Sequence, residues 1–165
     1  MDLANRVLIE NPEGQVGDDP VYPPKLWDPY RTRRYALGEA MYELLGIPHS
    51  DKPARVARML ENYRFFGAPV GLFFVIDRRM GRGQWAHLGM FMQSVALVAT
   101  ERGLATCMQE AWAMVRRSLG EHFGLPDHEM IYCGMALGYA DPDAPVNRLR
   151  SERVAVEEFT TMLGF

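Results

Sequence analysis

Three arginines near the C-terminus are the side chains whose type and spacing first suggest chemistry. Arg148, Arg150 and Arg153 lie within six residues. Because alternate residues of an extended chain point to one side, Arg148 and Arg150 are predicted to share a face. A planar guanidinium group can bind a phosphate through two parallel hydrogen bonds. The pattern therefore fits a phosphate-binding arm, and it fits ion pairs at the surface equally well.

The other candidate groups favour structural interpretations. Cys107 is predicted to be a buried, inert thiol in a turn, because no base is evident beside it in the sequence. The Gly81-Arg82-Gly83 run lacks the third glycine and the βαβ frame of a dinucleotide-binding loop, so a plain turn is favoured. The histidines are scattered and show no metal-ligand spacing; they are His49, His87, His122 and His128.

Hydrophobic periodicity indicates the elements that must position these groups. Strands are predicted at Val70–Asp77, as a central strand, and at 130–139. Residues 1–24 are rich in turn formers and are predicted to be mostly irregular, with a short strand at 7–9. Helices are predicted over 25–45, over 84–102 with burial on more than one side, over 111–123, and from an N-cap at Ser50 to about 67. An extended arm and a short helix follow from 141.

Composition narrows the class of protein. The mixture of helices and strands predicts an α+β fold, and 165 residues fit a single domain over 1–165. A net charge of −3 argues against a general nucleic-acid binder. Polar residues interrupt the longest apolar run, so no membrane span is expected. Two cysteines and the lack of a signal-peptide pattern predict a cytoplasmic protein.

Five segments, taken in order, resemble the nitroreductase family, and in particular its nitrobenzoate-reductase-like branch. Their order and spacing agree over roughly residues 22–165. They read NYRFFGAP at 62–69, GQWAHLGMFMQ at 83–93, GLATCMQEAW at 103–112, CGMALGYAD at 133–141 and PVNRLRSER at 145–153.

The resemblance implies a mainly antiparallel sheet surrounded by helices, and a homodimer with FMN bound between the subunits. It also implies that hydride passes from NAD(P)H to the flavin and then to a small-molecule acceptor such as a nitroaromatic or a quinone. In such a protein the cofactor carries the electrons and the polypeptide positions it. This role would account for the lack of an acid–base triad in the sequence.

Individual site residues follow from the same resemblance. Met108, Gln109, Glu110 and Ala111 match the turn whose backbone faces the flavin N5 edge, with methionine where the family has proline. Arg153 and, less closely, Arg150 match basic residues that meet the FMN phosphate. The helix from Gln84 corresponds to the long helix of the dimer core.

The front of the family domain has no counterpart in this sequence. The usual Arg-rich opening segment and the Pro-Ser-x-x-Asn-x-Gln-Pro-Trp stretch are missing, so the fold is expected to be N-terminally truncated. The run Arg31-Thr-Arg33-Arg34 matches a mid-chain helix and is given no phosphate role. A flavin-poor or flavin-free relative acting as a binding or regulatory subunit is therefore the alternative to an enzyme, and a simple interaction domain is a third interpretation.

Overall fold

The computed structural model describes residues 2–15 and 20–164, which build a three-stranded antiparallel sheet with helices on both of its faces. The strands are β1 (Val70–Asp77), β2 (Ala105–Gln109) and β3 (Glu129–Gly138), in the spatial order β1-β3-β2. The prediction of β1 as a central strand was wrong, because β3 pairs with both other strands and β1 lies at an edge of the described sheet. β1 is apolar from Val70 to Ile76 because the sheet is covered on two sides.

The predicted α+β class is confirmed, and most predicted elements lie close to their observed positions. Within the described residues, three short 3₁₀ helices accompany the α-helices, at Glu61–Gly67, Glu110–Val115 and Pro145–Arg148. The α-helices are α1 (Asp2–Glu10), α2 (Tyr30–Leu44), α3 (Lys52–Leu60), α4 (Arg82–Glu101), α5 (Arg116–Phe123) and α6 (Val156–Phe159).

The prediction of an irregular N-terminal stretch with a strand at 7–9 was wrong, because the first described element is a helix. Residues 2–10 form α1, and the turn formers that dominated the prediction begin only at Asn11. Ala4 and Val7 are three residues apart and are buried together against Trp112 and Val115. This spacing places both side chains on one helical face, so packing against the core stabilises the helix.

The start of α3 lies one residue beyond the predicted cap. Asp51 rather than Ser50 is the N-cap, and its carboxylate accepts a hydrogen bond of 3.0 Å from the Ala54 backbone N–H. Pro53 lies in the first turn, as predicted. Aspartate is at least as good a cap as serine, and its negative charge also interacts favourably with the helix dipole.

A bulge in β3 places Ile131 and Cys133 on opposite faces of the sheet. Phe74 pairs with Cys133 and Val75 with Ile131, so Tyr132 is an extra residue. The bulge shifts the alternation of side chains by one position. Ile131 therefore packs with α1, Tyr63, Trp112 and α5 on one face, whereas Cys133 and Met135 pack with Phe74 and Met92 of α4 on the other.

Two further predictions differ from the structure. Only Met92 and Ala99 of α4 are buried, so the predicted burial on several sides is not met within the described chain. The C-terminal arm is not extended throughout, because Pro145–Arg148 forms a 3₁₀ helix. Arg148 therefore ends a helical turn, and the strand-like alternation predicted for Arg148 and Arg150 does not apply.

Candidate functional site

A large cavity of about 890 Å³ opens between α1, α3 and the 3₁₀ helix Glu110–Val115. Its volume lies in the range of small-molecule and cofactor sites. Most of the lining is apolar, and polar groups are few. The lining residues are Asn5, Leu8, Ile9, Pro12, Val21, Tyr22, Arg34, Val56, Met59, Leu60, Tyr63, Glu110, Ala111 and Met114.

The polar groups of this cavity are placed to orient a ligand. The Oδ1 atom of Asn5 is buried and accepts no hydrogen bond from any described residue. The guanidinium carbon of Arg34 lies 4.1 Å from the centre of the Tyr22 ring. Burial raises the pKa of Glu110, and the positive charge of Arg34 partly opposes this shift. Such a lining suits a flat, mainly apolar ring system that carries hydrogen-bonding groups at its edge.

The helix that carries Arg34 is attached to α3 by one well-formed ion pair. Arg55 donates hydrogen bonds of 2.6 and 2.9 Å to the two carboxylate oxygens of Glu39. The same guanidinium stacks on Tyr42 at 4.0 Å. Hydrogen bonding from Arg55 lowers the pKa of Glu39 to about 2, so the pair stays charged at neutral pH. This contact sets the position of α2 beside the cavity.

The four residues predicted to face the flavin lie where β2 runs into the 3₁₀ helix. Glu110 and Ala111 line the cavity, whereas Met108 and Gln109 do not. Met108 is 42% exposed on β2, and Gln109 is buried. The Gln109 side chain donates a hydrogen bond of 2.9 Å to the backbone carbonyl of Asn62, and its own Oε1 has no partner among the described residues.

Arg150 and Arg153 lie away from this cavity lining. Their guanidinium groups are hydrogen-bonded to oxygen atoms of nearby residues in the same arm. Neither forms an ion pair with a carboxylate in residues 2–15 and 20–164. The structure of one chain thus leaves both charges available and does not join them to Met108–Ala111.

A strained element beside the cavity, not predicted from the sequence as a separate element, is the 3₁₀ helix Glu61–Gly67, called here the 61–67 segment. Phe65 and Phe66 both have left-handed backbone angles, with φ of 53° and 52°. Each such residue costs on the order of 1–3 kcal/mol and persists only where its surroundings hold it. The corresponding signal in the sequence is NYRFFGAP at 62–69, one of the five segments that resemble the family.

The contacts of Phe65 explain how this backbone is held. Its ring lies 4.9 Å from that of Trp112 and 5.6 Å from that of Phe73. A Cβ atom at Gly71 would come within 2.2 Å of the Phe65 ring, so the close approach requires glycine there. The strained segment is therefore wedged between β1 and the wall of the cavity.

The cysteine prediction was wrong in two respects, because Cys107 is exposed and lies on β2 rather than in a turn. Cys133 is the buried thiol, and burial raises its pKa to about 11. No group of three or more histidine, cysteine, aspartate or glutamate side chains that could hold a metal ion occurs in the described part of the chain. Nor is any described helix long and apolar enough to cross a membrane.

Comparisons with known proteins agree with this architecture. The model of the Nitroreductase family matches residues 24–139. Nitrobenzene nitroreductase from Ectopseudomonas oleovorans is 40% identical over 152 residues, which cover 92% of this chain and 67% of that protein. 4-Nitrobenzoate reductase from Pseudomonas putida is 41% identical over 136 residues, covering 82% of this chain and 60% of that protein.

A solved structure extends the likeness to three dimensions. The FMN and NADPH-dependent nitroreductase NfnB from Sphigopyxis sp. strain HMH superposes with a TM-score of 0.93 at 43% identity. The match covers 99% of this chain and 74% of that one. The chain thus spans between 60% and 74% of the length of these relatives.

Proposed function

This chain belongs to the nitroreductase family, and we propose from that premise that it is an FMN-dependent oxidoreductase. The proposed reaction moves hydride from NAD(P)H to the flavin, and then electrons to a nitroaromatic, quinone or similar small-molecule acceptor. The observation that carries this proposal is the apolar cavity of about 890 Å³ with Glu110 and Ala111 in its wall. Two relatives named for nitrobenzene and 4-nitrobenzoate support nitroaromatics as the acceptor class.

The residues present fit FMN. The cavity offers apolar surface for the ring system, and the unpartnered Oδ1 of Asn5 can accept a hydrogen bond from a ring N–H group. In the proposed site the turn beside the flavin ring is Met108, Gln109, Glu110 and Ala111, of which the last two line the cavity. The phosphate is bound by Arg150 and Arg153, which lie outside the cavity lining of their own chain. Bound FMN would supply the two-electron chemistry, while these residues orient it and exclude water.

A homodimer is part of the same proposal, with α4 at its centre. Four large apolar side chains of α4 are exposed in the single chain; they are Met90, Phe91, Leu97 and Val98, at 67, 58, 61 and 48%. Soluble monomers rarely leave such a contiguous apolar surface open to water. A second copy of the chain would cover it.

Replacing Leu97 by glutamate is expected to weaken the dimer by at least about a hundredfold, because an unpaired carboxylate in an apolar interface costs several kcal/mol. Light scattering after size-exclusion chromatography measures the mass. Tyr35→Glu on α2 is the matched control, since Tyr35 has the same exposed fraction of 61%. A wild-type chain that elutes as a monomer at every concentration would contradict the dimer.

We also propose that residues 1–165 form a single domain and that the protein is cytoplasmic. The continuous packing of α1, the 61–67 segment, Trp112 and α5 in one cluster supports the first statement. The two cysteines are free thiols, which suits a reducing compartment and supports the second.

The deciding experiment is an absorbance spectrum of the purified chain after incubation with FMN and desalting. We expect flavin bands to be retained, and the visible absorbance of the oxidised flavin to bleach after anaerobic addition of NAD(P)H. Reoxidation by nitrobenzene would then show electron transfer to the acceptor. A colourless chain would refute the enzyme and leave the flavin-free binding subunit as the better interpretation.

A further inference from the structure

We propose that the 61–67 segment positions the flavin-facing wall of the cavity, and that Tyr63 is a positioning residue acting through Ala111. The inference rests on the proposed function, because it assigns a role towards bound FMN. It gives a role to Tyr63, which lies in the resembling segment 62–69 but was not among the predicted site residues.

Two part-buried hydrogen bonds join the segment to the two ends of the short stretch Gln109–Ala111. At one end, Gln109 Nε2 donates to the Asn62 carbonyl at 2.9 Å and faces Asn62 Oδ1 at 3.3 Å. At the other end, the Tyr63 hydroxyl donates to the Ala111 carbonyl at 3.0 Å. Gln109 and Tyr63 are each only 2% exposed. Burial of the two donor side chains reduces competition from water, so each bond constrains its partner more strongly than a fully exposed bond would.

Aromatic packing adds a third attachment on the same side. The Tyr63 ring meets Trp112 edge to face at 5.1 Å, and Phe65 lies against the same indole at 4.9 Å. Trp112 directly follows Ala111 in the chain. The rings of Tyr63 and Phe65 thus pack on the same tryptophan, and the contact of Phe65 is a compensating interaction that holds its strained backbone.

The chemistry of the Tyr63 hydroxyl suits positioning rather than proton transfer. Burial raises the pKa of Tyr63 to about 12, so the hydroxyl stays protonated and remains a donor throughout the physiological range. Its donated hydrogen is directed at the Ala111 carbonyl. The side chain thus fixes the last residue of the proposed flavin-contacting turn while its ring lines the cavity.

The test compares Tyr63→Phe with the wild-type chain, both titrated with FMN. Removing the hydroxyl is expected to raise the FMN dissociation constant about three- to tenfold. It should also shift the midpoint potential of bound FMN, because the turn beside the ring is no longer fixed. Tyr42→Phe is the matched control, since it too removes a hydroxyl that donates to a backbone carbonyl, that of Arg55 at 3.4 Å, outside the cavity lining. It should change neither quantity.

Gln109→Met removes the bond at the other end of the turn with little change in side-chain length, and it should shift the potential as well. If Tyr63→Phe lowers only the melting temperature and leaves the potential and the FMN affinity unchanged, Tyr63 is merely structural and the inference is overturned. If the wild-type chain itself binds no FMN, the proposed function fails. If the wild-type chain binds FMN and Tyr63→Phe changes neither the affinity nor the potential, only the inference fails.

Discussion

Replacing Gly134 by alanine is expected to lower the midpoint of thermal unfolding by roughly 6–12 °C. A Cβ atom at this position would lie 2.2 Å from Cδ1 of Trp112, closer than any real contact, so the indole must move. Overpacking of this kind costs about 3 kcal/mol, and in a domain of this size each kcal/mol lowers the midpoint by about 2–4 °C. Circular dichroism during heating measures the change.

The loss of stability in Gly134→Ala should exceed that of a simple core substitution, because several aromatic side chains pack on Trp112. Its ring contacts Tyr63, Phe65 and Phe73, so displacing it disturbs the 61–67 segment and β1 together. Gly134 also pairs with Gln109 across the sheet. FMN binding should therefore weaken in this variant at temperatures well below its unfolding midpoint.

Gly120→Ala is the matched control, and it should act in the opposite direction. Gly120 lies inside α5, and nothing lies within 4 Å of the added Cβ atom. In a helix interior, alanine is better than glycine by about 0.5–1 kcal/mol, so the midpoint should rise by a few degrees. If both variants lowered the midpoint equally, the clash with Trp112 would not be the cause.

Removing the arginines of the C-terminal arm is expected to produce the largest loss of flavin affinity. A hydrogen bond to a charged group contributes about 1.5–3 kcal/mol, so Arg153→Ala and Arg150→Ala should each weaken FMN binding by about ten- to a hundredfold. Quenching of FMN fluorescence during titration gives the dissociation constants. Riboflavin, which lacks the phosphate, should bind the wild-type chain and both variants alike.

Arg117→Ala is the control for net charge, because Arg117 is exposed on α5 and does not line the cavity. It should leave the FMN dissociation constant within about twofold of wild type, since a distant exposed charge is screened by salt. Equal FMN affinity in wild type, Arg150→Ala and Arg153→Ala would show that the phosphate is bound elsewhere. Arg34, which lines the cavity, would then be the next arginine to test.

Local patterns in the sequence were enough to predict most elements. The continuous apolar run Val70–Asp77 predicted β1 with its observed bounds. Pro53 marked the first turn of α3, and Gly124 lies just after α5 in the left-handed conformation that favours glycine. These features are determined by residues close together in the chain, so no knowledge of the rest of the molecule was needed.

Errors arose where distant packing overrides local preference. Turn formers after residue 10 suggested an irregular N-terminus. α1 forms nevertheless, because Ala4 and Val7 pack against Trp112 and Val115, more than a hundred residues away in the chain. The edge position of β1 also depends on which strand joins which, and register is a property of the whole sheet.

The sequence by itself was enough to predict the class of fold and the family, and to locate the three arginines of the C-terminal arm. Periodicity, turn residues and aligned motifs are properties of the linear sequence. Only the tertiary structure decided that Glu110 and Ala111 share a cavity with Asn5 and Arg34, and that Tyr63 holds Ala111 from 48 positions away. The physical reason is that a binding site is made of contacts between elements, and such contacts exist only after burial of Trp112 and its neighbours has brought those elements together.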